Sequence, residues 1–234
     1  IRMTYPTTDE RIKSGIPGLD ERLEGGFLKG GTTILAGASG TGKTTFGFQF
    51  AVQAVLEGKP SMFCSLEESP AEIRSLGKSL KFNMKELEKK GLHLISWTPE
   101  NQSPDAFISE LTSHIEAIRP YRIVIDGLST FEHLYSQEMY LITKRLINLM
   151  GSYEITPIFT ILTDQESGLN ISSFGVSSIF HNIVLLRYVE ADAELKRSML
   201  ILKMRASNHD HSILKFVIQN KTGLKIVGTM SEYH

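Results

Sequence analysis

The sequence has little of what marks secreted, membrane-spanning or nucleic-acid-coating proteins. Its 234 residues include a single cysteine, Cys64, so no intramolecular disulfide can form, and we expect a reducing, cytoplasmic compartment. The chain has no run of about 18 apolar residues, which predicts that no helix spans a membrane, and it has no signal-peptide pattern. The net charge is −1, so no overall positive field favours nucleic acid as a partner.

A phosphate-binding motif is the strongest signal in the chain. Residues 37–45 read GASGTGKTT, which fits G-x-x-x-x-G-K-[ST]. Glycines let the backbone curl so that N–H groups converge on phosphate oxygens, the lysine reaches the β- and γ-phosphates, and the first threonine ligates Mg²⁺. Apolar runs on both sides predict a strand over 33–36 and a helix over 46–56. We therefore predict an ATP site built from Ser39, Gly40, Thr41, Gly42, Lys43, Thr44 and Thr45.

Strand and helix patterns alternate up to residue 163, which predicts an α/β fold with a mainly parallel, twisted sheet flanked by helices. The run Ser69-Pro70-Ala71-Glu72 predicts a capped helix start. After residue 163 the helices stop, and the last strands are predicted to extend the sheet in antiparallel fashion. The predicted strands cover 61–66, 92–97, 122–126, 157–163, 183–190, 196–205, 213–220 and 224–227, and the predicted helices cover 104–118 and 136–153.

Three acidic residues follow predicted strands. Asp126 ends the strand over 122–126 and fits the Walker B pattern, while Glu67 and Glu68 end the strand over 61–66. ATP hydrolysis needs an acid near Mg²⁺ and a group that positions the attacking water, and parallel sheets bind ligands at this end of their strands. Successive strand residues point in opposite directions, so one glutamate is expected to face the γ-phosphate unless the strand has ended. A turn cap for Asp126 and a solvated glutamate pair before a helix are the alternatives.

Several segments resemble the KaiC family of RecA-like ATPases, and the resemblance covers nearly the whole chain. They are SGIPGLDERLEGGF, GASGTGKTT, FCSLEES, RIVIDGLS and LLRYVE with KRSMLILKMRASNHD. The segments Glu154-Ile155-Thr156-Pro157, Thr163-Asp164-Gln165 and Lys203-Met204-Arg205 resemble the second, autokinase domain of KaiC most. The resemblance implies a RecA-like P-loop core over residues 14–234 as a single domain, with residues 1–13 as a tail or an edge strand.

The resemblance also implies roles for the site residues. Lys43, Glu67, Glu68 and Asp126 would be catalytic, Thr44, Glu67 and Asp126 would contact the metal, and ATP and Mg²⁺ would be the cofactors. KaiC forms rings of six subunits with ATP at each interface, so a late set of residues would reach a neighbour's nucleotide. We expect this set to lie away from the loop of its own chain. Its members are Arg197, Lys203, Met204, Arg205, Ser207, His209 and His211.

Lys203 and Arg205 are two positions apart on the predicted strand over 196–205, so they would share one face and present two cations to a γ-phosphate. Charges that protect an exposed edge strand are the alternative. Leu80 departs from the family pattern, because the second KaiC domain has an aromatic residue there. His211 departs from it too, at a position where lysine is common.

The second KaiC domain transfers phosphate to an adjacent Ser-Thr pair. Counting back from the apolar strand at 183–186 places that pair at Ser177 and Ser178, and a hydroxyl nucleophile is available on either residue. Ser172 and Ser173 are a rival pair. A serine-rich loop that accepts no phosphate is the remaining alternative.

Three functions fit these patterns. The first is a ring-forming, KaiC-like ATPase that hydrolyses ATP and autophosphorylates on serine, with regulatory protein partners in some pathway. The second is a DNA-repair ATPase of the RecA/RadA type, although residues 164–182 contain no Lys or Arg and phosphate contacts dominate DNA affinity. The third is a non-catalytic scaffold whose assembly depends on ATP.

Overall fold

The computed structural model describes residues 8–98, 103–163, 176–191 and 193–230. Two short strands, β1 and β2, pair with each other in residues 8–32, the lead-in to the first core strand. The strands that follow form a single nine-stranded sheet, numbered in chain order. The strands are β1 (Arg11–Ile12), β2 (Phe27–Leu28), β3 (Thr33–Gly37), β4 (Ser61–Ser65), β5 (Leu92–Ser96), β6 (Arg122–Asp126), β7 (Thr156–Leu162), β8 (Asn182–Ala191), β9 (Glu194–Met204), β10 (Leu214–Gln219) and β11 (Gly223–Thr229).

Helices cover both faces of the large sheet. One face packs on α1, α2 and α3 together with the lead-in, and the other packs on α4, α5 and α6, so the sheet separates two apolar cores. A parallel strand that is buried on both faces needs a nearly continuous run of apolar residues, which explains the apolar strands of this sheet. The helices are α1 (Lys43–Leu56), α2 (Pro70–Ser79), α3 (Met84–Lys89), α4 (Pro104–Ile118), α5 (Ser129–Leu134) and α6 (Met139–Ser152).

The strand order is β11-β10-β9-β8-β3-β7-β6-β4-β5. Neighbours from β8 across to β5 are parallel, whereas the β8–β9, β9–β10 and β10–β11 pairs are antiparallel. The predicted α/β class with a mainly parallel sheet and antiparallel C-terminal strands is therefore confirmed. This order brings β3 to the centre of the sheet. The loop after β3 therefore lies at the middle of the carboxyl edge, the edge at which the parallel strands end.

Several boundaries differ from the sequence-based expectations. The short helices α3 and α5 were not predicted, and α6 begins at Met139 rather than at residue 136. The strand predicted over 196–205 ends at Met204, so Arg205 lies beyond it and the argument that Lys203 and Arg205 share a strand face is wrong. The predicted start of α2 is confirmed, because Ser69 and Glu72 form a reciprocal capping box.

Candidate active site

The phosphate-loop motif lies between β3 and α1, as the sequence predicts. Gly42 is the N-cap of α1 with φ of 109°, and a Cβ atom there would lie 2.5 Å from Cδ1 of Ile218. Only glycine fits this position, because the backbone is in the left-handed region and β10 packs against it. The N-terminal end of α1 is consequently free of side-chain bulk where an anion would approach.

Lys43 lies inside the curve of the loop. Its Nζ donates to the carbonyl oxygens of Gly37 at 2.8 Å and Ala38 at 2.9 Å. Burial lowers the pKa of Lys43, whereas the nearby charges of Asp126 and Glu67 act in the opposite direction. An ammonium group in such a place is a point charge with little water around it, which suits phosphate binding.

Asp126 lies at the end of β6 and contacts both the start of α1 and the neighbouring strand β7. Its Oδ2 accepts a hydrogen bond from Thr44 Oγ1 at 3.0 Å, and its Oδ1 accepts one from Thr160 Oγ1 at 2.6 Å. The carboxyl is 3% exposed, and this burial raises its pKa, although both hydroxyl contacts lower it. The alternative that Asp126 merely caps a turn is not favoured, because both oxygens face β7 and the phosphate loop.

Glu67 and Glu68 both border the same space because β4 has ended before them. Ser65 Oγ accepts the backbone N–H of Glu68 at 2.8 Å and that of Glu67 at 3.3 Å, which closes a local turn. The side chain of Glu67 lies over Gly127, where an added Cβ would come within 2.7 Å of it. The alternation expected for neighbouring strand residues therefore does not apply here.

The electrostatics distinguish the two glutamates. Glu67 is exposed, whereas Glu68 is half-buried. Burial raises the pKa of Glu68, and the negative charges of Asp126, Glu72 and Glu67 raise it further. A carboxylate with a raised pKa is a better proton acceptor than an ordinary surface glutamate.

These groups line one cavity of about 680 Å³, a size typical of ligand sites. Its floor offers a hydroxyl and a carboxylate oxygen from Thr44 and Asp126, 3.0 Å apart. Oxygen donors of this kind fit Mg²⁺, which takes one or two protein ligands and leaves the rest to phosphate and water. The lining residues are Ser39, Gly40, Gly42, Lys43, Thr44, Thr45, Glu67, Glu68, Glu72, Ser75, Leu76, Ser79, Asp126, Gly127, Thr160, Leu162 and Ile218.

Six of the seven predicted loop residues line this cavity directly, and so do the three predicted acids, Glu67, Glu68 and Asp126. Thr41 is buried, and its Oγ1 donates to Ala38 O at 2.7 Å, so it shapes the loop from within. The sequence reasoning missed Thr160, which holds Asp126. A threonine between apolar residues in a buried strand was the available signal.

Arg197 lies against the phosphate loop of its own chain. Its Nη2 is 3.5 Å from Gly40 O and 3.3 Å from Tyr188 Oη, and Tyr188 Oη donates to Gly40 O at 2.7 Å. The expectation that the whole late set lies away from its own loop is therefore wrong for Arg197. The physical reason is the register of the hairpin, in which Tyr188 and Arg197 face each other just beyond the carboxyl edge.

Lys203, Met204 and Arg205 lie at the opposite end of the sheet. Asn182 pairs with Met204 on one side and with Thr33 on the other, whereas Gly37 pairs with Leu186. Four residues of parallel strand separate these levels, which is about 13 Å along the strand direction. Lys203, Met204 and Arg205 are thus distant from the loop of their own chain.

The lead-in braces the segment that follows β9. Arg11 Nη2 donates to Ser207 Oγ at 2.5 Å, and Arg22 pairs with Asp210. His209 Nε2 is 2.9 Å from Ile201 O, and its ring centroid is 4.5 Å from that of His211. These contacts hold the segment 207–211 against the lead-in and β9, and they place His209 next to His211.

The proposed phosphosites are only partly described. Ser178 lies in the 3₁₀ turn Val176–Ile179 just before β8 and is exposed. The structure does not describe the side chain of Ser177, and the rival pair Ser172 and Ser173 lies outside the described residues. Ser178 precedes the amino end of β8, so it lies at the end of the sheet opposite to the loop of its own chain.

Comparisons with known proteins agree with this architecture. The family model "ATPase: KaiC" matches residues 12–231. The circadian clock oscillator protein KaiC of Parathermosynechococcus lividus is 32% identical over 238 residues, which cover 100% of this chain and 43% of that protein. The corresponding protein of Thermosynechococcus vestitus is 34% identical over 226 residues, covering 94% of this chain and 43% of its own. This chain thus spans less than half the length of these curated relatives.

A solved structure gives the same result. The crystal structure of a KaiC-like protein from the hyperthermophilic archaeon Pyrococcus horikoshii OT3 superposes with a TM-score of 0.84 at 30% identity, covering 93% of this chain and 99% of that chain. In the described parts of this chain, none of the helices is long and apolar enough to cross a membrane. The matched family model, the relatives and the shared fold together show that this chain belongs to the KaiC family of ATPases.

Proposed function

We propose that this protein binds ATP with Mg²⁺ in the cavity after β3 and hydrolyses it. The observation that carries the proposal is the convergence of Lys43, Thr44, Glu67, Glu68 and Asp126, from three strand ends, on one space of about 680 Å³. In open parallel sheets this edge is where ligands bind. The residues 14–234 act as one domain in this proposal.

Each side chain has a role that its surroundings support. Lys43 binds the β- and γ-phosphates, and the loop amides of residues 39–45 surround the phosphate chain. Thr44 and Asp126 would hold Mg²⁺, which would supply charge neutralisation of the phosphates, and Glu67 lines the same cavity. Glu68, whose pKa burial raises, accepts a proton from the attacking water.

Assembly through ATP follows from the position of the late residues. Lys203, Met204 and Arg205 lie at the end of the sheet away from their own loop, so a nucleotide that they contact belongs to another copy. Ser207, His209 and His211, in the segment that follows, would contact that same nucleotide. A closed ring of subunits offers each copy's late residues to the next copy's loop. The family resemblance favours six subunits.

The kinase activity is a further part of the proposal. The likeness to the second KaiC domain favours phosphate transfer to Ser177 and Ser178 from ATP. Because Ser178 lies at the same end of the sheet as Arg205, the donor would be the nucleotide of another subunit, and transfer within one chain is not expected. The serine hydroxyl would attack the γ-phosphorus while its proton passes to a carboxylate, and the bond between that phosphorus and the bridging oxygen would break to release ADP.

Steady-state ATPase assays test the hydrolysis. Lys43→Ala should abolish nucleotide binding, and Glu68→Gln should retain binding but lose most turnover. Lys144→Ala and Glu86→Gln are matched controls, since both residues lie on helices outside the cavity. Tight ATP binding by Lys43→Ala, or normal turnover by Glu68→Gln, would contradict the assigned roles. Binding without any turnover in the wild type would favour the scaffold.

Mass spectrometry after incubation with γ-labelled ATP tests the transfer. The expected result is label on Ser177 or Ser178, which is lost when both are changed to alanine. Absence of label from residues 172–178 would eliminate the kinase proposal and leave the ATPase. Native mass spectra with and without ATP would give the ring size, and a salt-sensitive shift of single-stranded DNA would revive the repair function.

A further inference from the structure

Two side chains outside the recognised motifs contact the phosphate loop from the hairpin of β8 and β9. Tyr188 Oη donates to Gly40 O at 2.7 Å, while Arg197 Nη2 approaches Tyr188 Oη at 3.3 Å. The two residues are directly opposed in the ladder and share one face. The guanidinium also lies 5.3 Å from the centroid of the tyrosine ring. Arg197 thus orients a hydroxyl that has one acceptor in the loop.

That acceptor fixes a whole peptide group. Gly40 O belongs to the peptide that joins Gly40 to Thr41, and in a trans peptide the carbonyl and the N–H point in opposite directions. With the carbonyl directed at Tyr188, the N–H of Thr41 points towards Ala38 O, at a long 3.4 Å. Lys43 Nζ contacts the same Ala38 oxygen at 2.9 Å. The amide and the ammonium therefore face the same hollow.

Inside the loop, this orientation is held by the long contact of the Thr41 N–H with Ala38 O, and the backbone of Gly40 adds little to it. Gly40 has φ of 75°, and glycine occupies positive and negative φ with similar ease. A peptide next to such a residue can rotate at little cost, which would turn the Thr41 N–H away from the hollow. A hydrogen bond from a side chain on a different strand opposes that rotation.

We propose that Tyr188 is a positioning residue for phosphate binding. Its hydroxyl holds the Gly40–Thr41 peptide with the N–H directed at the phosphate chain, and Arg197 keeps that hydroxyl in place. This inference rests on the proposed ATP binding and deepens it, because it assigns the orientation of one loop amide to a residue outside the loop. Tyr188 itself need not touch the nucleotide.

Tyr188→Phe removes the hydroxyl and leaves the ring that stacks with Arg197. The matched control is Tyr153→Phe, since Tyr153 Oη donates at 2.8 Å to Glu116 on helices away from the loop. Calorimetric titration with ADP and with ATP should show affinities roughly three- to ten-fold weaker for Tyr188→Phe than for the control, as expected for one lost neutral hydrogen bond. Both nucleotides should weaken by the same factor, because phosphate loops bind the phosphates that they share.

A purely structural role would give a different result. It would lower the melting temperature without nucleotide and leave the affinities alike, so equal dissociation constants for Tyr188→Phe and Tyr153→Phe would overturn the proposal. Hydrogen exchange at the amides of residues 40–42 is the second measurement, and it should be faster in Tyr188→Phe than in the wild type. Unchanged exchange there would also overturn it. A wild-type protein that binds no nucleotide would instead refute the ATP site, and the exchange data would still decide the role of Tyr188.

Discussion

Thr160 supports the buried carboxylate on which the proposed metal binding depends. Its Oγ1 donates to Asp126 Oδ1 at 2.6 Å and accepts the backbone N–H of Gly127 at 2.8 Å. Thr160→Val keeps the shape of the side chain and removes both hydrogen bonds. The ionised form of Asp126 then loses a donor, and the buried N–H of Gly127 loses its acceptor.

The magnitudes follow from the charges involved. A hydrogen bond to a charged group contributes about 1.5–3 kcal/mol, so its loss should weaken Mg²⁺ binding by roughly ten-fold or more. The N–H of Gly127 without an acceptor costs about 1–3 kcal/mol of folding free energy. For a chain of this size, each kcal/mol corresponds to about 2–4 °C in melting temperature.

The pH dependence has a defined sign. Burial already raises the pKa of Asp126 above its ordinary value of 3.8, while the hydrogen bonds from Thr160 and Thr44 lower it. The stability that protonated Asp126 contributes is therefore present below pH 3.8 and is lost as the pH rises through the raised pKa. Removing the Thr160 hydroxyl raises that pKa further. The pH below which Mg²⁺ affinity falls should consequently be higher in Thr160→Val than in the wild type, because the metal requires the ionised carboxylate.

The assay is a calorimetric Mg²⁺ titration of the ATP complex between pH 5 and pH 8, alongside thermal unfolding without nucleotide. Thr143→Val is the matched control, because Thr143 Oγ1 is buried in α6 and has no hydrogen-bond partner within the described residues. The control should unfold and bind Mg²⁺ like the wild type. If Thr160→Val matches Thr143→Val in Mg²⁺ affinity and in the pH below which that affinity falls, the reasoning about Asp126 is refuted.

Three further changes test the loop and the core. Gly42→Ala should lower ATP affinity far more than Gly58→Ala. Both glycines have a positive φ, but the new Cβ at Gly42 would lie 2.5 Å from another atom, whereas the one at Gly58 would meet nothing within 4 Å. Nucleotide titration of the two variants checks this. Burial lowers the pKa of His181 to about 4, so its contribution to stability, present above pH 6.5, should be lost as the pH falls towards 4. Urea unfolding across that range should show the decline, and His181→Asn should reduce it. Arg122→Ala should destabilise the fold by about 3–5 kcal/mol, because it removes a fully buried side chain and leaves the carbonyl oxygens of Lys13 and Phe50 without their donor. Glu57→Gln keeps an oxygen that can accept from Arg122 and should cost less in the same unfolding assay.

Local sequence patterns were sufficient for the elements that carry the motifs. Helix α4 (Pro104–Ile118) and strand β6 (Arg122–Asp126) occupy the predicted residues, because each has a strong apolar period and a clear boundary. Serine before proline begins α4, and the chain between Ile118 and Arg122 contains Pro120, which ends the helix. The same reasoning located the phosphate loop between a strand and a helix.

Short elements and long-range contacts could not be predicted in this way. Helices α3 and α5 have six residues each, too few for a recognisable apolar period. The contact of Thr160 with Asp126 depends on β7 lying beside β6, which strand order decides and periodicity does not. The local turn at Ser65 likewise removed the alternation on which the argument about Glu67 and Glu68 depended.

The position of Arg197 shows most clearly why register matters. The ladder between β8 and β9 has an irregularity at Ile183 and Val184, and on its far side Tyr188 faces Arg197. No sequence pattern specifies that register, yet it decides that Arg197 meets Gly40 of its own chain while Met204 pairs with Asn182 at the other end.

Strand β9 therefore links two kinds of contact within one rigid element. In its first half, Arg197 and its partner Tyr188 lie on the phosphate loop of the same chain. Its last residues, Lys203 and Met204, lie about 20 Å further along the sheet. In a ring, those last residues would meet a different copy's nucleotide. A change in the loop that displaced Gly40 would then act on the same strand that presents cations to the neighbouring site, so the state of one nucleotide would bear directly on the geometry of the next.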